Sequence, residues 1–307
     1  MKSLYLPALA AISLLFACQK NVNNPTTPIP EDGKKYAFHL DVSGVVRESS
    51  GNFARTVDSG LLQNATMLVY SAFDANTRAL KRSIIKNSAD PTFGQFNDSL
   101  PRGRYLVSVA AIKDTTYSTQ SVDKWAVIFH YPGTDAFYQK MIVNIDSTVN
   151  ENLVLERIVS KLVINAKGRI PYNARTVSIR PVTKDPSDIN GVQGTLDYFT
   201  GAIPTRTANG AYQAWNYRVA DSLNGKTGLV FNTYILNPSG SRVISLSITV
   251  ADSVGRPIGG KTIYDIQLET NKVTSLTGFL FDSIPATGGL GVKVNSEWKK
   301  DSILVQF

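Results

Sequence analysis

The chain contains a series of short segments in which apolar and polar residues alternate, beginning at about residue 36. The clearest segment places Ile244, Leu246, Ile248 and Val250 on one side, with small polar residues between them. Alternation with period two is typical of a strand that buries one face in an antiparallel sheet. After the N-terminal apolar segment, no run longer than about ten residues holds a helical period. The pattern therefore predicts an all-β protein.

Turn-forming residues separate these segments, as a fold of short strands requires. Asn237-Pro238-Ser239-Gly240 lies between the apolar runs 229–236 and 242–250, and it predicts a hairpin loop. Two short helices are expected, near Asp135–Met141 and near Asp185–Asn190. Many short strands joined by tight turns predict antiparallel β-sandwiches of Greek-key type, in which each strand buries one face.

Length and composition predict two such domains. The chain has 307 residues and 43% of them are hydrophobic, which is enough for ordinary cores. A polar stretch at 146–152 predicts the division, with an N-terminal sandwich over 35–152 and a C-terminal sandwich over 153–307. Leu100–Arg104 and Asn237–Arg242 each lead into a long alternating strand, which indicates that the two domains are related.

The first 34 residues predict export and attachment to a membrane. Lys2 precedes an apolar run from Leu4 to Phe16, and Ala17 stands before Cys18, the single cysteine of the chain. This arrangement is typical of an export signal, and it is shorter than the roughly 20 residues of a membrane span. The Ala-Cys step resembles the lipobox of bacterial lipoproteins. That resemblance implies cleavage after residue 17 and acylation of Cys18 with diacylglycerol and fatty acids such as palmitate.

The alternative for Cys18 is a buried structural cysteine, which its flanking residues disfavour. Residues 18–34 are polar and rich in proline, and they predict a flexible linker. Some 15 extended residues reach about 50 Å, so the folded part can stand clear of the lipid headgroups.

The net charge of the chain does not indicate a further function. The net charge is +8, and it falls to +7 when Lys2 is removed with the signal, because 31 basic residues then face 24 acidic ones. The basic residues are scattered, with no run of five or more. Nucleic-acid binding is therefore not expected.

Three further segments indicate a family. Leu153–Ile164, Asn271–Phe281 and Trp298–Phe307 resemble, in this order, recurrent segments of fimbrillin-like lipoproteins and minor-fimbria anchors of Bacteroidota. The turn at Leu100–Tyr105 and the lipobox fit the same resemblance. It implies two transthyretin-like β-sandwich domains, an outer-membrane location facing the cell surface, and a role as fimbrial building subunit or lipid-held anchor. The implied partners are fimbrial subunits of the same fold.

The resemblance also implies two candidate processing residues. Stalk subunits of the family are cut after an arginine that follows the first strand, which opens a groove for a partner's strand. Arg47 and Arg55 lie after the first predicted strand, Tyr36–Val46, and are the candidates. Anchors of the family must stay joined to their lipid. The resemblance to an anchor is therefore better if this chain is not cut. Both residues are otherwise ordinary loop arginines.

The last residues of the chain form another alternating segment. Ile303, Val305 and Phe307 share one face. Such a strand suits donation to a neighbouring subunit, where it restores backbone hydrogen bonds and fills pockets with alternate side chains. It suits completion of its own domain equally well, and self-completion is the favoured interpretation.

The sequence contains no recognisable catalytic motif. His39 and His130 are far apart, and neither is flanked by residues with metal-ligand spacing. We therefore expect no enzyme activity, no metal and no cofactor. The best candidate ligand site is a group of aromatic residues, Tyr198, Tyr212, Trp215 and Tyr217, which would bind a glycan if their rings were exposed. Alternation places Trp215 and Tyr217 on one face, and a buried face is the alternative.

Overall fold

The computed structural model describes residues 33–48, 55–58, 60–113, 126–128, 134–182, 195–203, 214–281 and 303–306. Within these ranges the chain forms eighteen strands, one four-residue helix and one 3-10 turn. The predicted all-β class is confirmed. The predicted helix at Asp135–Met141 is wrong, because a strand begins at Ala136 and buries alternate side chains toward its end. The second predicted helix, at 185–190, lies outside the described residues.

Eight of the first nine strands and the helix α1 (Leu61–Asn64) build the first sandwich, and the seventh strand pairs outside it. In chain order the strands are β1 (Lys35–Glu48), β2 (Arg55–Asp58), β3 (Met67–Asp74), β4 (Leu80–Asn87), β5 (Gln95–Pro101), β6 (Gly103–Ile112), β7 (Ala126–Ile128), β8 (Ala136–Ile145) and β9 (Val149–Arg157). One layer holds β1 between β9 and the strands β5 and β2, and the other runs β8-β6-β3-β4. A short pairing of β8 with β9 joins the layers. Their inward side chains, among them Phe38, Tyr70 and Phe96, form the core.

The second half of the chain contributes nine strands, eight of which build a second sandwich. They are β10 (Val159–Arg169), β11 (Thr176–Val182), β12 (Thr195–Asp197), β13 (Trp215–Arg218), β14 (Thr227–Leu236), β15 (Ser241–Ala251), β16 (Pro257–Glu269), β17 (Val273–Phe279) and β18 (Ile303–Gln306). One sheet has the order β14-β10-β17-β18 and the other β13-β11-β15-β16. The core between them includes Leu162, Trp215 and Leu246. The short strand β12 pairs with β7.

The two sandwiches have the same strand order. The layers β5-β1-β9 and β4-β3-β6-β8 of the first correspond to β14-β10-β17 and β13-β11-β15-β16 of the second. The two related sequence segments, Leu100–Arg104 and Asn237–Arg242, fall at equivalent places, where β5 leads into β6 and β14 into β15. Both sandwiches contain parallel pairings, β1 with β9 in the first and β10 with β17 and β17 with β18 in the second. An alternating pattern cannot distinguish a parallel pairing from an antiparallel one.

The segment 237–240 is not the hairpin loop that its residues predict. β14 pairs with β10, whereas β15 pairs with β11 and β16, so the turn carries the chain from one sheet to the other. Gly240 has a φ of +90°, which a residue without a side chain adopts easily. The residues at 238–239 do form a turn, but the pairing of the strands depends on residues that are distant in the sequence.

The expected domain boundary between residues 152 and 153 falls inside β9. This strand pairs with β1 from Val149 to Glu156, so residues 153–157 lie in the first sheet. Ile158 is the single residue between β9 and β10. If the chain is divided by sheet membership, the division falls at Ile158.

A third apolar cluster covers the outer face of β3, β6 and β8. Met67, Val69 and Phe73 pack there against Tyr198 and Leu236 from the second half of the chain, with further residues on both sides. This packing explains why β3 and β6 are buried on both faces. The cluster places the segment 195–203 directly on the first sandwich.

Candidate functional site

The strand that continues the predicted linker lies at the centre of its sheet. Lys35 follows Cys18 by 17 positions (35 − 18 = 17) and begins β1. β1 pairs with β5 and β2 on one side and with β9 on the other, and Phe38 and Val45 are fully buried. Removing this strand would open the core along its length. Cys18 itself lies outside the described residues, and its acylation stays a prediction.

Among the described residues, no helix has the length and apolar character needed to cross a bilayer.

Both candidate processing residues lie in paired strands. β1 extends to Glu48, two residues beyond its predicted end, so Arg47 is part of the strand and lies opposite Thr56 of β2. Arg55 lies opposite Glu48. The expectation that the arginine follows the first strand is therefore wrong for Arg47, because the strand continues to Glu48. Arg55 does follow β1, but it begins a second strand that pairs with β1 and is not in a loop. A protease that binds its substrate in extended form would first have to separate the two strands. Cleavage at either residue stays a prediction.

The predicted aromatic platform is wrong for two of its members. Trp215 is 0% exposed in the core of the second sandwich, and Tyr198 is 6% exposed in the cluster against the first. Burial raises the pKa of the Tyr198 hydroxyl, and the neighbouring Tyr138 raises it further. Tyr217 is half-buried, and its hydroxyl donates to the carbonyl oxygen of Asn232 at 2.9 Å. Tyr212 lies outside the described residues.

Tyr198 belongs to a turn that is fastened to β8. The carboxylate of Asp197 accepts hydrogen bonds from the backbone N–H groups of Phe199 and Thr200 at 2.8 and 3.0 Å. The hydroxyl of Tyr138 donates to the carbonyl of Tyr198 at 2.6 Å, and Lys140 Nζ donates to the carbonyl of Thr200 at 2.6 Å. The contact therefore holds the two halves of the chain together, and Tyr198 does not present a surface to a ligand.

A buried ion pair lies where the two sandwiches meet. Arg157, the last residue of β9, donates from Nε and Nη2 to the two carboxylate oxygens of Asp135, each at 2.8 Å. Its Nη1 donates to Asn271 Oδ1 at 2.7 Å, in the turn between β16 and β17, and its guanidinium lies 5.0 Å from the ring centre of Phe137. Both charged side chains are less than one tenth exposed. This bidentate geometry suits a charge pair that has lost its water. Arg157 thus links a residue of the first sandwich to a residue of the second.

The closing strand lies on its own chain. Ile303 and Val305 of β18 are opposite Thr274 and Leu276 of β17, in parallel register. Thr274 and Leu276 are themselves buried. Phe307 lies outside the described residues. The pairing comprises only four residue pairs, at the edge of a sheet.

β14 differs in composition from the edge strands β4 and β5 of the first sandwich. It has ten residues, Thr-Gly-Leu-Val-Phe-Asn-Thr-Tyr-Ile-Leu, with no charge and no proline, and among the described strands it pairs only with β10. Its equivalent in the first sandwich, β5, carries Asp98 and Pro101, and β4 carries three basic residues. Charges and prolines are the usual protection of an edge against pairing with another chain.

The backbone of β14 shows which residues face that edge. Asn237 N donates to Ile158 O at 2.8 Å, so antiparallel alternation turns the polar groups of Val230 and Asn232 away from β10. The hydroxyl of Tyr217 and Nη1 of Arg242 donate to the carbonyls of Asn232 and Leu236. Around Val230, whose side chain is 51% exposed, the edge faces no described strand.

The described residues form no metal cluster. No three His, Cys, Asp or Glu side chains in the described ranges lie close enough together to hold an ion. His39 Nδ1 is 2.6 Å from Asn97 Oδ1 on the outer face of β1 and β5. His130 lies outside the described residues. The absence of enzyme activity stays a prediction.

Comparison with solved structures found proteins of Bacteroidota. The fimbrial anchor protein Mfa2 from Porphyromonas gingivalis matches with 11% identity and a TM-score of 0.45, over 86% of this chain and 98% of that one. A candidate polysaccharide-binding protein from Bacteroides thetaiotaomicron matches with 13% identity and a TM-score of 0.46, over 86% and 97%. A candidate adhesin from the same species has 9% identity and a TM-score of 0.45, over 89% and 99%.

The kind of protein that the short sequence motifs resemble is thus among these structural neighbours. No family model matches the chain, and no curated protein matches its sequence. With identities this low and TM-scores below 0.5, the function has to be argued from the residues of this chain.

Proposed function

We propose that the protein is a lipid-anchored, non-enzymatic subunit of a surface fimbria. It is held to the outer membrane through Cys18 and binds a neighbouring subunit of the same fold through an open sheet edge. The open edge of β14 carries the proposal, because this ten-residue strand lacks the charges and proline of its equivalent in the first sandwich. A strand from a neighbour would gain backbone hydrogen bonds along this edge and alternate side-chain contacts on either side of it.

The position of β1 supports the anchoring role. A pull on the linker reaches the fold at Lys35, the first residue of a fourteen-residue strand that has paired strands on both sides. Such a pull acts along the strand, so many hydrogen bonds and the buried side chains Phe38 and Leu40 resist it together. Stable membrane attachment takes more than one acyl chain, which diacylglycerol at Cys18 would supply.

The alternative function is a surface glycan-binding lipoprotein of a nutrient-uptake system. The sequence favours this function through the aromatic residues near Trp215. Trp215 and Tyr198 are buried, however, and belong to structural contacts. We therefore prefer the fimbrial role.

Two matched substitutions test the edge. Val230→Lys adds a charge to the open edge of β14, and Ile85→Lys adds the same charge to β4, where the side chain is 47% exposed and other lysines are already present. We expect Val230→Lys to abolish co-purification of neighbouring subunits from crosslinked cells and Ile85→Lys to preserve it. Retention of the same neighbours by Val230→Lys would contradict the proposal.

A separate test addresses the anchor. Cys18→Ser should remove the label of metabolically incorporated palmitate and move the protein from the membrane fraction to the soluble fraction. A Cys18→Ser protein that still carries the label would show that the lipid is attached elsewhere or that the label has another origin. The two tests use different readouts, so the edge and the anchor can fail independently.

A further inference from the structure

The end of the second sandwich that points away from β9 is a compact group of turns, which we call the distal pole. It consists of residues 167–176, 218–227, 251–257 and 279–281. Backbone hydrogen bonds join these segments: Gly225 N donates to Ile170 O at 2.9 Å, and Arg175 N donates to Ala251 O at 2.9 Å. The end of β17 lies alongside, with Phe279 opposite Lys167.

The distal pole concentrates positive charge that is scattered in the sequence. Its basic residues are Lys167, Arg169, Arg175, Arg218, Lys226 and Arg256, and its acidic residues are Asp221 and Asp252. Six positive and two negative charges give a net +4 in 30 residues, half of the +8 of the whole chain. The sequence gives no run of basic residues here, because the fold brings together residues from four segments.

Only two of the six cations are neutralised locally. Arg256 Nε lies 2.8 Å from the carboxylate of Asp252, and Arg175 Nε lies 3.4 Å from that of Asp221. The other four, Lys167, Arg169, Arg218 and Lys226, are exposed and form no ion pair within the described part of the chain. Unneutralised cations at one end of a domain raise the local concentration of anionic ligands.

An exposed aromatic ring stands on the same pole. Tyr172 is 72% exposed, and its carbonyl oxygen accepts a hydrogen bond from Arg175 Nη1 at 3.0 Å. The ring lies over Gly225, where a Cβ atom would come within 2.7 Å of the tyrosine hydroxyl. Gly225 has a φ of +74°, so the turn favours glycine for its backbone as well. The ring therefore lies against the turn at Gly225 and leaves most of its surface open to solvent.

Asn224, the residue before Gly225, carries an unpaired hydrogen-bond acceptor. Asn224 Oδ1 is shielded from solvent and has no hydrogen-bond partner among the described residues. Buried polar atoms are normally paired, so this oxygen is an exception.

From these observations we propose that the distal pole binds an acidic polysaccharide, with Tyr172 stacked on a sugar ring and Lys167, Arg169, Arg218 and Lys226 paired with its carboxylate or sulfate groups. A protein partner fits less well, because the core of a protein interface is depleted of charged residues, and of lysine in particular. An anionic membrane also fits less well. The linker joins the first sandwich at the start of β1, which lies beside the start of β9 and therefore far from the junction of β9 with β10. The distal pole lies beyond that junction, at the other end of the second sandwich.

The test uses the detergent-solubilised full chain and immobilised heparin, polygalacturonate or neutral dextran. One variant carries Arg218→Gln and Lys226→Gln at the pole. A matched control carries Arg102→Gln and Lys113→Gln, which lowers the net charge equally at exposed residues of the first sandwich. We expect the pole variant to lose about tenfold in affinity for at least one polyanion and the control about twofold. The slope of log affinity against log salt should fall by about two in the pole variant, as for other polyanions that release counterions.

Two substitutions of Tyr172 test the stacking separately. Tyr172→Ala should lower the affinity about threefold to tenfold, and the loss should persist at high salt, whereas Tyr172→Phe should keep the affinity. Equal losses in the pole and control variants, equal binding to dextran, or binding to anionic phosphatidylglycerol vesicles without binding to either polyanion would overturn the proposal. None of these measurements depends on fimbrial assembly, so they are independent of the edge tested through Val230.

Discussion

Replacing Arg157 by alanine should destabilise the protein more than any exposed charge substitution. The change removes three hydrogen bonds and leaves the carboxylate of Asp135, which is 9% exposed, without its counter-ion. Removing one partner of a buried pair typically costs about 3–5 kcal/mol. For a chain of this size, such a loss lowers Tm by about 10 °C.

Urea unfolding followed by far-UV circular dichroism, together with thermal melts, measures this effect. The exposed Arg102→Ala is the matched control, and its free energy of unfolding should change by less than about 0.5 kcal/mol. The double variant Arg157→Met with Asp135→Leu removes both charges, and it should recover most of the loss because no buried charge is left alone. A loss below about 1 kcal/mol in Arg157→Ala, or a double variant less stable than the single one, would refute this reasoning.

Three further predictions concern the residues that the structure assigns to packing and turns. Trp215→Ala should cost about 3–5 kcal/mol in urea unfolding because it empties a core position, and an unchanged midpoint would contradict the burial of this ring. Gly201→Ala should destabilise the protein more than Gly240→Ala. Both glycines have positive φ, which costs a residue with a side chain about 1 kcal/mol. A Cβ atom at Gly201 would also lie 2.7 Å from the Tyr138 ring, whereas a Cβ atom at Gly240 would meet no atom within 4 Å. Equal losses in thermal melts would refute the clash. Hydrogen bonds from the backbone and side chain of Arg256 and from the backbone of Val254 lower the pKa of Asp252. The stability that Asp252 contributes is therefore present above its unfolded pKa of about 4, and it is lost as the pH falls through the lower pKa of the folded state. Asp252→Asn should flatten stability below pH 4, and an acid limb identical to that of the unsubstituted protein would contradict this assignment.

The alternating strands could be predicted from the sequence because each buries one face in a single core. The run from Ile244 to Val250 is the clearest example, since these four residues face the core of the second sandwich. Local patterns do not specify partners, however. The turn at 237–240 joins two sheets, and the parallel pairing of β1 with β9 brings together residues more than 100 positions apart.

The functional surfaces depend even more on distant contacts. Arg157 and Asp135 are 22 positions apart, and neither spacing nor residue type distinguishes this pair from a solvated one. The aromatic residues near 198 and 215 were candidates for a ligand site, but the sequence does not show that Trp215 faces a core and that Tyr198 lies against the first sandwich. Conversely, the sequence does not identify Tyr172 as a candidate ligand-binding residue, because its ring lies against Gly225, which is distant in the sequence.

The central claim is that the chain works as a lipid-held fimbrial subunit. The most direct measurement is a crosslinked pull-down of the native lipoprotein from intact cells, with partners and crosslinked residues identified by mass spectrometry. The account predicts a ladder of β-sandwich subunits, with crosslinks close to β14. A co-purifying outer-membrane transporter, or a retained glycan with no protein partner, would contradict it.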